Sequence, residues 1–152
     1  MSMTLALKRD RRKRPLGLRV RTRAAIIAAR LLVFLPPHRL RRVMGAFRRG
    51  AEPATVEQAT AARESVLAAS LALNGLRACL PRSVSVALLC RLLGVWPTWC
   101  VGTRTAPPFA AHAWVEAEGR LVGEQGVYNA YARLMSVPPL VSPEPADAAG
   151  VR

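Results

Sequence analysis

The chain has 152 residues, 51% of them hydrophobic, and a formal charge of +14 at pH 7. That length fits one domain with a short appendage, and that apolar content excludes a disordered protein. The charge is local: residues 1–50 hold fifteen Lys or Arg against Asp10 alone, whereas residues 51–152 set eight basic residues against eight acids.

In chain order, residues 1–17 read as a charged, mobile tail, and the arginines of "PLGLRVRTRAA" interrupt any secretory apolar core. Leu18–Leu35 fits a helix of mixed basic and apolar residues. Its apolar end, "LLVFLPP", stops at Pro36 and Pro37, short of the roughly 18–20 residues a membrane span needs. "HRLRRVMGAFRRG" resumes as a short basic amphipathic helix ending at Gly50. Pro53 is placed to open the next helix, which runs from Thr55 to Leu73 and stops at Asn74-Gly75. A fourth helix has Pro81 in its first turn and repeats Val84, Leu88 and Leu92 before Gly94 closes it.

The period then changes. Residues 99–105, 111–116 and 119–124 read as three strands of a small meander, and a short helix is expected around Asn129–Met135. The Pro/Ala-rich end reads as disordered. Helices first and strands second predict an α+β domain.

Three cysteines, Cys79, Cys90 and Cys100, with no C-x-x-C, make a poor disulfide or zinc pattern. No metal or cofactor is expected, and the default setting is reducing and cytoplasmic. The stretch "PPFAAHAWVEAEG" holds His112 at the start of a strand, where an imidazole is either a half-buried structural group or a general base. A three-residue connection at Ala117–Gly119 pairs Glu116 with Arg120, Val115 with Leu121, Trp114 with Val122 and His112 with Glu124. A two-residue turn at Glu118-Gly119 sets Leu121 opposite Glu116 and His112 opposite Gln125 instead. The first register is the better chemistry, because it puts a carboxylate beside the imidazole.

A thiol is the natural third member of such a set. Cys90 lies inside a helix and Cys100 inside a strand, with nothing local to activate either. Cys79 falls at a helix start, where unpaired N–H groups and the positive end of the dipole lower a thiol's pKa and can receive an oxyanion. Arg77 and Arg82 add favourable charge.

A helix-start cysteine, a strand opening on "HAW" and an acid beyond it resemble the transglutaminase-like cysteine protease superfamily. The longer pattern "CLPRSVSVALLCRLLG … VGTRTAPPFAAHAWVEAEGRLVGE" is similar to the leader peptidases of lasso-peptide biosynthesis, in the stand-alone form without a fused leader-recognition domain. The resemblance covers residues 75–125 well and the basic helices more loosely. It implies a papain-like core at 51–138, preceded by a basic tail and helices at 1–50 and followed by a disordered tail at 139–152. It implies Cys79 as nucleophile, His112 as base and then acid, and Glu124 as third member. The superfamily more often has Asp there, so Gln125 stands as the other orienter; Arg82 and Ser83 match the motif and read as structural. The implied partners are a precursor peptide, a separate leader-binding protein and an ATP-dependent macrolactam synthetase. The rivals are a non-catalytic peptide-binding scaffold of the same fold and acyl transfer to an amine.

The basic third allows partner docking, a membrane-surface contact through residues 18–49 carried by Ile26, Ile27, Leu31, Leu32 and Phe34, or a solvated charge run. With only Phe34 and Phe47 as aromatics and no recognition module, nucleic acid is not expected.

Overall fold

The computed structural model describes residues 14–124 and 130–140. Four helices come first: α1 (Leu16–Leu32), α2 (Pro37–Phe47), α3 (Val56–Ala69) and α4 (Cys79–Leu92), with a 3-10 turn at Leu71–Asn74. A four-stranded antiparallel sheet follows, β3 (Thr98–Arg104), β4 (Ala111–Ala117), β5 (Arg120–Leu121) and β6 (Tyr131–Val137), in the order β5-β4-β3-β6. Two short strands, β1 (Glu52–Pro53) and β2 (Val95–Trp96), pair in parallel apart from it. This is the α+β architecture expected, helices before a small antiparallel sheet.

Local chemistry explains the helix ends. Pro36 precedes α2 and Pro37 opens it, where a missing N–H costs nothing. Thr55 caps α3: its hydroxyl accepts from the Gln58 N–H at 3.1 Å, and the Gln58 side chain accepts from the Thr55 N–H at 3.0 Å. Such a box contributes about 1 kcal/mol. Pro53 therefore does not open α3. It sits opposite Trp96 in β1, and the flanking Glu52 and Ala54 N–H groups make the bonds it cannot, to Gly94 and Trp96.

Helix α4 is the centre of the packing. Every residue from Ser83 to Cys90 is buried, so one apolar stripe is replaced by burial all round, and only Leu92 of the expected repeat is exposed. Ala25, Ile26 and Ala29 of α1, Leu40 and Met44 of α2, Ala59, Ala62 and Val66 of α3, and Trp99, Val115 and Val137 of the sheet join it in one core. Two indoles lock the layers together. Trp99 Nε1 donates to Ser83 Oγ of α4 at 3.1 Å, and Trp96 Nε1 donates to the Val137 carbonyl at 3.0 Å.

Two expectations for the sheet are corrected. Tyr131–Val137 is the strand β6, where a helix was expected; Asn129 lies outside the described residues. Its backbone groups pair along β3, and that ladder overrides a local sequence with no strong alternation. The hairpin uses the two-residue turn: Glu118 and Gly119 both take positive φ, 51° and 72°, and the pairs are Glu116 with Leu121 and Ala117 with Arg120. Glu118 explains the choice, because its carboxylate also accepts the Val56 N–H at the start of α3, at 2.8 Å. The third strand is accordingly short. The ladder ends with the Val122 N–H on the Val115 carbonyl at 3.0 Å, and Gly123, at φ 67°, turns the chain away.

Candidate active site

Cys79 is the first residue of α4, which no side chain caps. Pro81, in the same turn, gives up an N–H that would have no helical partner anyway. The helix start is tied down from behind, since Arg82 donates to the Leu73 and Gly75 carbonyls at 3.0 and 3.3 Å. Ser83 Oγ, besides accepting from Trp99, donates to the Leu80 carbonyl at 3.0 Å. The thiol is thus half-buried on a rigid turn, close enough to His112 and to the backbone of Ala113 and Leu80 for each to act on its ionisation.

His112 is the second residue of β4. Alternation sends Val115 and Ala117 into the main core, while Trp114 packs with Cys100 and Tyr131 in a smaller cluster. The imidazole stacks on Trp114, centroids 5.9 Å apart, and on Tyr131 at 5.1 Å. Its Nε2 lies 2.9 Å from Glu124 Oε2. With Nε2 so engaged, Nδ1 is left for the thiol. Glu124 and His112 are not ladder partners, as the expected register had them. The carboxylate reaches the ring because the chain leaves the sheet at Gly123. Gln125 lies outside the described residues.

The electrostatics agree with the geometry. The bond to His112 holds the Cys79 thiol below its ordinary pKa, against the opposing effect of burial, with the Ala113 and Leu80 backbone assisting. The bonds to Cys79 and then Glu124 raise His112 to about 9. Both shifts run in the direction of a thiolate–imidazolium pair. Burial pushes Cys90 and Cys100 the other way, each to about 12. Three separate cysteines, all free, thus differ sharply in reactivity.

Several contributors were not visible in the sequence. Tyr131 stacks on the imidazole from a strand that reads locally as helix. Arg63, on α3, lies against Gly123 where any Cβ would overlap it, and its guanidinium feels the charges of both Arg82 and Glu124. Burial and Arg82 lower its pKa, while Glu124 and Glu64 oppose them. Arg63, Arg82, Ser83, Ala113 and Glu124 line one shallow, open depression in the surface. Glu116, expected opposite Arg120, instead is buried, accepting from Trp114 Nε1 at 2.8 Å and facing Arg133 at 3.4 Å. Gly102 lies in the "VGTRT" stretch of the motif. It pairs with His112, and β6 runs so close that a Cβ there would overlap the Ala132 carbonyl oxygen. Among the described residues no three His, Cys, Asp or Glu side chains gather as a metal site.

A helix-start thiol, a strand imidazole and a carboxylate beyond it are the arrangement of papain-like cysteine chemistry. Residues 22–136, about three-quarters of the chain, match the model of the transglutaminase-like superfamily. The chain belongs to that superfamily, whose members are usually cysteine hydrolases or transferases. Searches of curated proteins and of solved structures returned no match.

Proposed function

We propose that this protein is a cysteine peptidase that removes the leader from a ribosomally made lasso-peptide precursor. The observation that carries the reading is the set at the start of α4: the Cys79 thiol, whose pKa His112 lowers, and the His112 Nε2 that lies 2.9 Å from Glu124. The narrowing from superfamily to leader peptidase rests on the sequence motif from Cys79 to Glu124.

In the proposed reaction the Cys79 thiolate attacks the carbonyl carbon at the leader–core junction. Backbone N–H groups at the uncapped helix start receive the oxyanion. The C–N bond breaks as His112 gives its proton to the departing nitrogen, which becomes the free N-terminus of the core peptide. Water then attacks the thioester and loses its proton to the now neutral His112. The leader leaves with a carboxylate, and the thiolate–imidazolium pair is restored. Glu124 holds the ring in orientation and stabilises its charged form.

The test is cleavage of the cognate precursor in the presence of the leader-binding partner, read by mass spectrometry. One cut at the leader–core junction is expected, lost in Cys79→Ala and reduced about 10²–10⁴-fold in His112→Ala. Glu124→Ala is expected to cost less than His112→Ala, and Gln125→Ala to leave the rate near wild type. Equal cleavage by wild type and Cys79→Ala would sink the proposal in favour of a scaffold. Product carrying an added amine at the cut would redirect it to acyl transfer.

A further inference from the structure

Helix α1 has two working faces, and the core uses only one. Thr22, Ala25, Ile26 and Ala29 are buried against the rest of the molecule. Leu16, Val20, Ile27 and Leu31 are exposed by 73, 59, 62 and 67%, and Phe34, just past the helix end, by 85%. At about 100° per residue these four helical positions fall within an arc of about 60°, centred opposite the buried face. Ile26 and Leu32, grouped with them on sequence, do not belong: Ile26 is in the core and Leu32 is half-buried against it. The stripe is therefore narrower and straighter than composition suggested.

Arg19, Arg23 and Arg30 are exposed along one edge of this stripe, and Arg21 is exposed beyond its other edge. Across the described residues of α1, α2 and their flanks, 14–50, ten arginines stand with no acid at all. Arg39, Arg41 and Arg42 of α2 are likewise exposed. A line of aliphatic side chains ending in Phe and edged by arginines is the pattern of a helix lying in the plane of a lipid interface. No helix among the described residues is long and apolar enough to cross a membrane.

We propose that the outer face of α1 docks on an anionic lipid surface. Leu16, Val20, Ile27, Leu31 and Phe34 enter the headgroup–acyl boundary, and the flanking arginines meet the lipid phosphates and carboxylates. The proposal stands apart from the peptidase reading, because none of these residues is in the site.

The full chain is sedimented with vesicles of phosphatidylcholine, either alone or with roughly a third phosphatidylserine. Circular dichroism confirms that each variant is folded, which the exposure of the substituted positions favours. Wild type is expected on the anionic vesicles and largely absent from the neutral ones, with binding weakened by salt. Arg19→Gln/Arg23→Gln/Arg30→Gln is expected to lose about fivefold per arginine, on the order of a hundredfold together. Leu31→Ser/Phe34→Ser is expected to lose roughly tenfold or more even at low salt. Equal binding by that apolar variant would overturn the proposal and leave simple adsorption of a basic chain. So would a wild-type dimer, without vesicles, that the apolar variant breaks; the stripe would then belong to a second copy. Wild type that ignores both vesicle types would also overturn it, and loss of partner-dependent cleavage in the apolar variant would then assign the stripe to a protein.

Discussion

Cys79 differs from Cys90 and Cys100 in the groups around it, and the difference is measurable without any substrate. Its bond to His112 lowers its pKa, whereas the other two thiols are buried and raised to about 12. Iodoacetamide at neutral pH is therefore expected to label Cys79 alone in the native protein, as peptide mass spectrometry would show, and all three after denaturation. Labelling of Cys90 at a comparable native rate would contradict the burial assigned to it. His112 gives the complementary test. Its folded pKa of about 9 lies above the ordinary value of 6.5, so its charged form is favoured by the native state. The stabilisation it brings is fully present below about 6.5 and is lost as pH rises through about 9. The ring resonances in NMR should titrate near that upper value. Cys79→Ala should move the titration down most, and Glu124→Gln should move it less, matching the order in which the two partners act.

At the scale of elements, two glycines set where the site can form: Gly102 inside β3 and Gly123 in the bend after β5. Gly102 pairs with His112 on one side while β6 presses on the other, at a break in register after Val101. Gly102→Ala must push β6 outward, and with it Tyr131, which stacks on the imidazole. A loss of about 1–3 kcal/mol in chemical denaturation is expected, with activity falling further than stability alone explains. The sequence motif contains this glycine but carries no sign of the approaching strand, because β6 itself has too little alternation to be told from a helix. The helices and the helix-start position of Cys79 were legible for the opposite reason: Thr55, Pro37, Pro81 and Gly94 mark ends by local chemistry. The hairpin shows the limit of that kind of reading. Pairing preferences alone favoured three residues in the turn, yet a contact from Glu118 to the distant Val56 N–H belongs to the two-residue form. Glu124 was the right neighbour for His112 on the wrong register, reached through the bend at Gly123.

At the scale of the whole molecule, the basic helices and the sheet share one interior. Ile26, Leu40 and Met44 sit in the same core cluster as Leu89 and Trp99, so the charge asymmetry along the chain does not mark a packing boundary. Large-to-small changes at such positions cost about 2–5 kcal/mol each, against a total stability of about 5–15 kcal/mol for a typical domain. A fragment starting at residue 51 is accordingly expected to lose its cooperative thermal transition. A cooperative unfolding curve from that fragment would mean that α1 and α2 lie on a core complete without them. The same arrangement lets one helix serve two ends: the inner face of α1 supports α4, which carries the thiol, and the outer face remains free of that duty.

The three tryptophans of this chain are all buried, Trp96 and Trp99 within the main core and Trp114 in ring contact with His112 at an interplanar angle of 14°. A protonated imidazole against an indole quenches its emission, and a neutral one does so far less. The molecule therefore carries its own optical indicator. Raising the pH through about 9 is expected to brighten native fluorescence by the share belonging to Trp114. The other two indoles should hold constant until the chain unfolds. A cuvette and a pH electrode would then follow the proton on His112 in real time, and a ligand entering the depression would announce itself as a change in that signal.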